Sequence, residues 1–232
     1  MYTLKNNMFF RDLSSEIKNE SKYISKFFLV FVLSYFIIYI TLVIVVSYIS
    51  RLNITEKTAN IISMGLSELM MLFVFLATKL FIGKMQSNRH PVMDHMTGLK
   101  FIKILIASVF VLAVGSVTSS YAIGIISAIT GKMPQNLVEQ TVTNMSIPEI
   151  FIFVVVLAPI FEELVFRKLM IDTFSKYGTT FSVVVSAFVF GFIHGNLYQF
   201  FYAFGLGVLM GYVYCIYGNI IYTMLIHAII NT

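Results

Sequence analysis

The chain has 232 residues, of which 58% are hydrophobic and only 12% charged, with a mean hydropathy of +0.87. A soluble domain carries about 25% charged residues, so a water-covered globule is excluded and an all-α polytopic transmembrane bundle is expected, with room for about six to eight spans of ~20 residues. The formal charge of +5 gathers at the ends of apolar runs, where it reports topology rather than nucleic-acid binding, and the single cysteine, Cys215, excludes an intramolecular disulfide and a cysteine-based metal site.

Residues 1–26 are polar and charged, with Lys5, Arg11, Lys18, Lys22 and Lys26. They lack an A-x-A-like cleavage site before the first apolar run, so no cleavable signal peptide is expected. Residues 13–28 are expected to form an amphipathic interfacial helix. About seven apolar helices follow. The first three, within 27–149, read as generic spans over 27–49, 61–82 and 101–129, the third being long enough to be tilted, broken near Gly115 or partly outside lipid. The polar loop 130–148 carries turn signals at Gly131, Pro134 and Pro148. A charged span over 149–174 comes next, then a turn at Gly178, spans over 179–194 and 198–217, and a final run from Asn219. That last run is too short to cross ~30 Å of hydrocarbon at 1.5 Å per residue. It is either a partial span or a segment that stops near its last polar residue. The basic segments at the N-terminus, at 83–100 (Lys84, Arg89, Lys100) and at Arg167, Lys168 and Lys176 are separated by even numbers of crossings. All three fall on one side, which sets a cytoplasmic N-terminus in a multi-pass cell-membrane protein.

Ionisable groups inside hydrocarbon cost roughly 2.5–3.5 kcal/mol each at a helix centre, so each needs a partner or a task. In Glu162-Glu163-x-x-x-Arg167, Glu163 and Arg167 are four apart and share a helix face, where they can pair. Glu162 points about 100° away and is left without that partner, which suits a desolvated general base. His194 shares a face with Phe190, and His227 with Asn231. Each alone reads as a hydrogen-bonded packing residue. Together, Glu162, His194 and His227 from three helices can converge in a bundle core. Such a cluster activates water in one of two ways. A Zn²⁺ ion held by Glu162, His194 and His227 lowers the pKa of bound water. Otherwise Glu and His act as a metal-free base, with His227 and Asn231 donating to the oxyanion.

Those three ordered motifs, with the wording Glu162-Glu-Leu-Val-Phe-Arg167, resemble the CAAX-protease and bacteriocin-processing family of intramembrane peptidases, which includes the Ras-converting type of prenyl-protein endopeptidase. The resemblance covers 150–231. It implies an α-helical intramembrane endopeptidase open to the cytosol, with Glu162 as the water-activating base helped by His194. His227 and Asn231 would bind the oxyanion, and Glu163 and Arg167 would shape the site. Substrates implied are peptides or proteins: a bacteriocin, a signalling-peptide precursor or a lipidated protein. The geometry carries a demand. His194 lies ~22 Å along its helix and Glu162 only ~9 Å from Lys168, so the two meet only if the span from Thr179 starts outside the membrane or tilts steeply.

Other readings are a non-enzymatic bacteriocin-immunity or regulatory membrane protein with the same fold, and a small proton-relaying transporter. Glu68, an acid within the second apolar run, is expected to pair with a basic group, line the cavity or mark a broken helix end. His90 and His95 read as solvated loop residues. Met64, Met70, Met71 and Cys215 read as packing residues.

Overall fold

The computed structural model describes residues 2–49, 51, 55–82, 95–136, 143 and 145–232. Lys84, Arg89 and His90 lie outside the described residues. Seven helices and no strand are present among them. They are α1 (Tyr2–Ile49), α2 (Glu56–Ile82), α3 (Gly98–Thr130), α4 (147–177), α5 (Thr179–Ile193), α6 (Leu197–Tyr217) and α7 (Ile220–Ile230). Within them, the stretches Glu16–Ile49, Lys57–Ile82, Gly98–Thr130 and Leu197–Tyr217 are long and apolar enough to cross a membrane. Large apolar side chains such as Leu80 and Ile129 stand 78% and 79% exposed on α2 and α3, which is tolerable only where the surrounding solvent is lipid.

The first helix does not divide into an interfacial piece and a span. The chain carries no Gly or Pro before Gly65, so nothing breaks the helical run at the start of the apolar stretch. Nor is α3 broken at Gly115. A Cβ at that position would sit 2.4 Å from the Cα of Tyr202, so the glycine lets α3 and α6 cross with backbones touching. Small residues serve close helix approach in membranes in this way. Gly207 does the same between α6 and α5, where a Cβ would meet Ala187 at 3.0 Å.

The fourth helix departs most from a regular rod. It opens at Ser146, whose backbone N–H donates to the Glu149 carboxylate at 2.7 Å. Two π-helical stretches follow, Ile150–Leu157 and Leu164–Ile171, flanking the α-helical piece Ala158–Glu163 that carries the paired glutamates. π-turns gather at functional sites. In the first stretch the N–H of Ala158 donates five residues back to the Phe153 carbonyl. The next donor in that frame would be residue 159, and Pro159 has no N–H. The Val154 carbonyl is thereby released from the backbone ladder.

A compact core of Phe166, Phe174 and Phe190 with Phe27 of α1 and Val74 of α2 holds these helices together. Cys215, Met70 and Met71 are buried apolar residues, and His95 is exposed. Arg167 is also fully buried. It pairs with Glu163, whereas Lys168 is exposed.

Candidate active site

Gly178 adopts φ 104°, a conformation that a side chain resists, and there the chain reverses between α4 and α5. Glu162 lies sixteen residues before this turn and His194 sixteen residues after it. The arms run antiparallel, so equal arm lengths return both residues to one level. Phe166 and Phe190, each twelve residues from Gly178, verify the register with ring centroids 4.9 Å apart. The demand for an extramembrane start or steep tilt of α5 came from measuring Glu162 against Lys168 instead of against the turn.

A cavity of about 290 Å³ opens at this level, lined by Glu162, His194, His227 and Asn231. Glu68 of α2 and Gln199 and Tyr202 of α6 complete its polar lining. Glu163 and Arg167 stay out of the cavity and are fully buried beside it. The Arg167 guanidinium donates from Nε to Oε2 of Glu163 at 2.9 Å and from Nη2 to Oε1 at 3.3 Å. It also lies 5.4 Å over the Phe190 ring and 3.5 Å from Ser186 Oγ. A planar, forked donor matches a carboxylate in two places at once, which makes the pair rigid.

That rigid pair orients the next ring. His227 places Nδ1 3.2 Å from Glu163 Oε1 and Nε2 3.6 Å from Glu162 Oε2. With Nδ1–H donating to Glu163, Nε2 carries a proton only in the doubly protonated ring. His194 is fixed differently. Its Nδ1 lies 2.7 Å from the Phe190 carbonyl, and a carbonyl only accepts, so Nδ1 holds the proton and Nε2 keeps a lone pair. The ring stacks edge-on against Phe190 at 4.9 Å. Asn231, at the end of α7, donates through Nδ2 to the Val154 carbonyl at 2.9 Å, the acceptor that Pro159 leaves vacant. This bond fixes the Asn231 side chain of the α7 end against α4. It uses one of the two amide N–H groups and leaves the other.

Among the described residues, no group of three His, Cys, Asp or Glu side chains is arranged to hold a metal ion. Glu162, His194 and His227 line one cavity without converging on a ligand point, so no step below runs through a metal.

Several polar residues escaped the sequence reading. Gln199 and Tyr202 carried no signal because α6 reads as a uniformly apolar span. Asp172 is buried, accepts from Tyr214 Oη at 3.1 Å and pairs with Lys168 at 3.0 Å; an acid nine to ten residues past the paired glutamates was the available clue. Glu20 of α1 reaches the turn end of α4, where it accepts from Lys176 at 2.7 Å and from the Tyr177 hydroxyl.

Comparison with known families gives a match over residues 144–232 to the model described as type II CAAX prenyl endopeptidase Rce1-like. Comparisons with curated proteins and with solved structures give no match. The matched segment begins just before α4 and contains Glu162, Glu163, Arg167, His194, His227 and Asn231. The last 89 residues of this multi-pass helical chain, 144–232, are thus similar to the CAAX-protease domain of the Rce1-like type II prenyl endopeptidases.

Proposed function

We propose that the protein hydrolyses peptide bonds within the membrane of the cell, near its cytosolic face, with Glu162 activating the attacking water. The observation that carries this reading is the sharing of one cavity by Glu162, His194, His227 and Asn231, which arrive from separate helices.

Water seated between Glu162 and the free Nε2 of His194 gives its proton to the carboxylate as its oxygen adds to the scissile carbonyl carbon. The oxyanion that forms is met by the remaining N–H of Asn231 and by Nε2–H of His227. Glu163 and Arg167 touch neither water nor substrate. They hold the His227 ring through Nδ1, as a carboxylate orients a catalytic imidazole elsewhere. The basic residues flanking the spans support a cytoplasmic N-terminus, with the substrate a peptide or protein that enters from that side. A lipidated protein C-terminus is the first candidate, with bacteriocin and signalling-peptide precursors as further ones.

The test uses purified full-length protein in lipid nanodiscs and two peptides that differ only in a farnesyl group on a CAAX cysteine, with products identified by mass spectrometry. Wild-type protein should cleave at least one of them, and Glu162→Gln should lower kcat by about 10²–10⁴-fold, the usual yield of a positioned base. Equal rates for the two proteins would remove Glu162 from the chemistry. A cellular phenotype that survives Glu162→Gln would identify a non-enzymatic binding protein instead.

A further inference from the structure

Glu68 lies at the middle of α2 (Glu56–Ile82), the depth at which an unpaired charge is most costly in a bilayer. It lines the same cavity as Glu162. Among the described residues it has neither an ion-pair nor a hydrogen-bond partner, and the cavity lining contains no Lys or Arg. The other acids are answered: Glu163 by Arg167 and Glu162 by His227. Burying a charged carboxylate without a counter-ion is costly, so an acid left without a partner in a cavity is the one suited to hold a proton.

We propose that Glu68 is the general acid that protonates the leaving amine, an assignment that rests on the peptidase reading above. An amide nitrogen is a poor leaving group until it takes up a proton, and a second acid that already carries one removes the need for Glu162 to do both tasks. In the first step water oxygen bonds to the carbonyl carbon, one water proton passes to Glu162 and the carbonyl electron pair moves to oxygen. In the second step the C=O bond reforms, the C–N bond breaks with its electron pair going to nitrogen, and nitrogen takes the Glu68 proton. A carboxylic acid and an amine leave, with Glu162 protonated and Glu68 ionised. Transfer of one proton from Glu162 to Glu68 through cavity water restores the starting state. Glu68 lies outside the segment 144–232 that matches the family model, so the helices before that segment supply part of the chemistry.

The experiment compares two substrates with one leaving atom changed: the cleaved farnesyl-CAAX peptide and its analogue with a thioester in place of the scissile amide. A thiolate departs without protonation, so a leaving-group acid matters only for the amide. Glu68→Gln should lower kcat for the amide by at least about 10²-fold, with KM little changed, and lower thioester cleavage by about threefold or less. Retained thioester cleavage also shows that the variant is folded. Glu68→Asp should recover part of the amide rate. Equal losses on both substrates, or no loss on the amide, would overturn the assignment while leaving the Glu162 reading intact. Wild-type protein that cleaves neither substrate would overturn both.

Discussion

The Glu163–Arg167 pair gives the sharpest stability prediction. Both side chains have no solvent exposure, so removing one strands a charge in low dielectric. Arg167→Met leaves the Glu163 carboxylate with the His227 Nδ1 contact at 3.2 Å and the Thr223 hydroxyl in place of two guanidinium bonds. Breaking a buried pair from one side costs about 3–5 kcal/mol, whereas replacing both partners with neutral groups is often close to harmless. For a chain of this size each kcal/mol moves Tm by about 2–4 °C, so Arg167→Met should lower Tm by roughly 6–20 °C. Glu163→Gln should also destabilise, and the double variant Glu163→Gln/Arg167→Met should be more stable than the Arg167→Met single. The chain has no tryptophan, so unfolding in detergent is followed by circular dichroism at 222 nm. A Tm for Arg167→Met within about 3 °C of wild type, or a cycle in which the two losses simply add, would refute the reasoning. Either result would mean that water or another group already satisfies these charges.

Two further outcomes follow from the site. Pro159→Ala restores an N–H able to take the Val154 carbonyl from Asn231; kcat should fall by about 10–100-fold through loss of one aligned oxyanion donor, without a fall in Tm, and an unchanged kcat would dissociate Pro159 from Asn231. Peptide cleavage should persist after dialysis against a chelator such as 1,10-phenanthroline, and its loss with recovery on adding Zn²⁺ would show that the cavity rearranges to bind metal.

The fold class was readable because lipid replaces water as the solvent. Apolar runs of membrane length can bury their backbone groups only as helices, and the runs over 27–49, 61–82, 101–129 and 198–217 are all helical in the structure. The membership of the site was readable from i, i+4 spacing: Glu163 with Arg167 bond as that spacing requires, and His227 and Asn231 both face the cavity. The level at which Glu162 and His194 meet was not, because it depends on where the turn lies, and Gly178 had to be recognised as the origin from which both arms are measured. The two π-helical stretches of α4 left no mark in composition either. Their sequences, IFIFVVVL and LVFRKLMI, have nothing that separates a five-residue from a four-residue repeat. Pro159 becomes meaningful only once that repeat is known. Glu68 was visible as an acid out of place, but sequence offered no way to decide which helix face of α2 would meet the cavity.

The paired arms around Gly178 also govern what length changes this chain can absorb. Deleting one residue between Glu162 and the turn would slide the carboxylate by about 1.5 Å and swing it by about 100°, while His194 stayed put. Only a matching deletion between the turn and His194 would bring the two back to a common height, and the angular offset would remain on each arm. The segment 162–194 thus behaves as a ruler whose two halves must keep the same length.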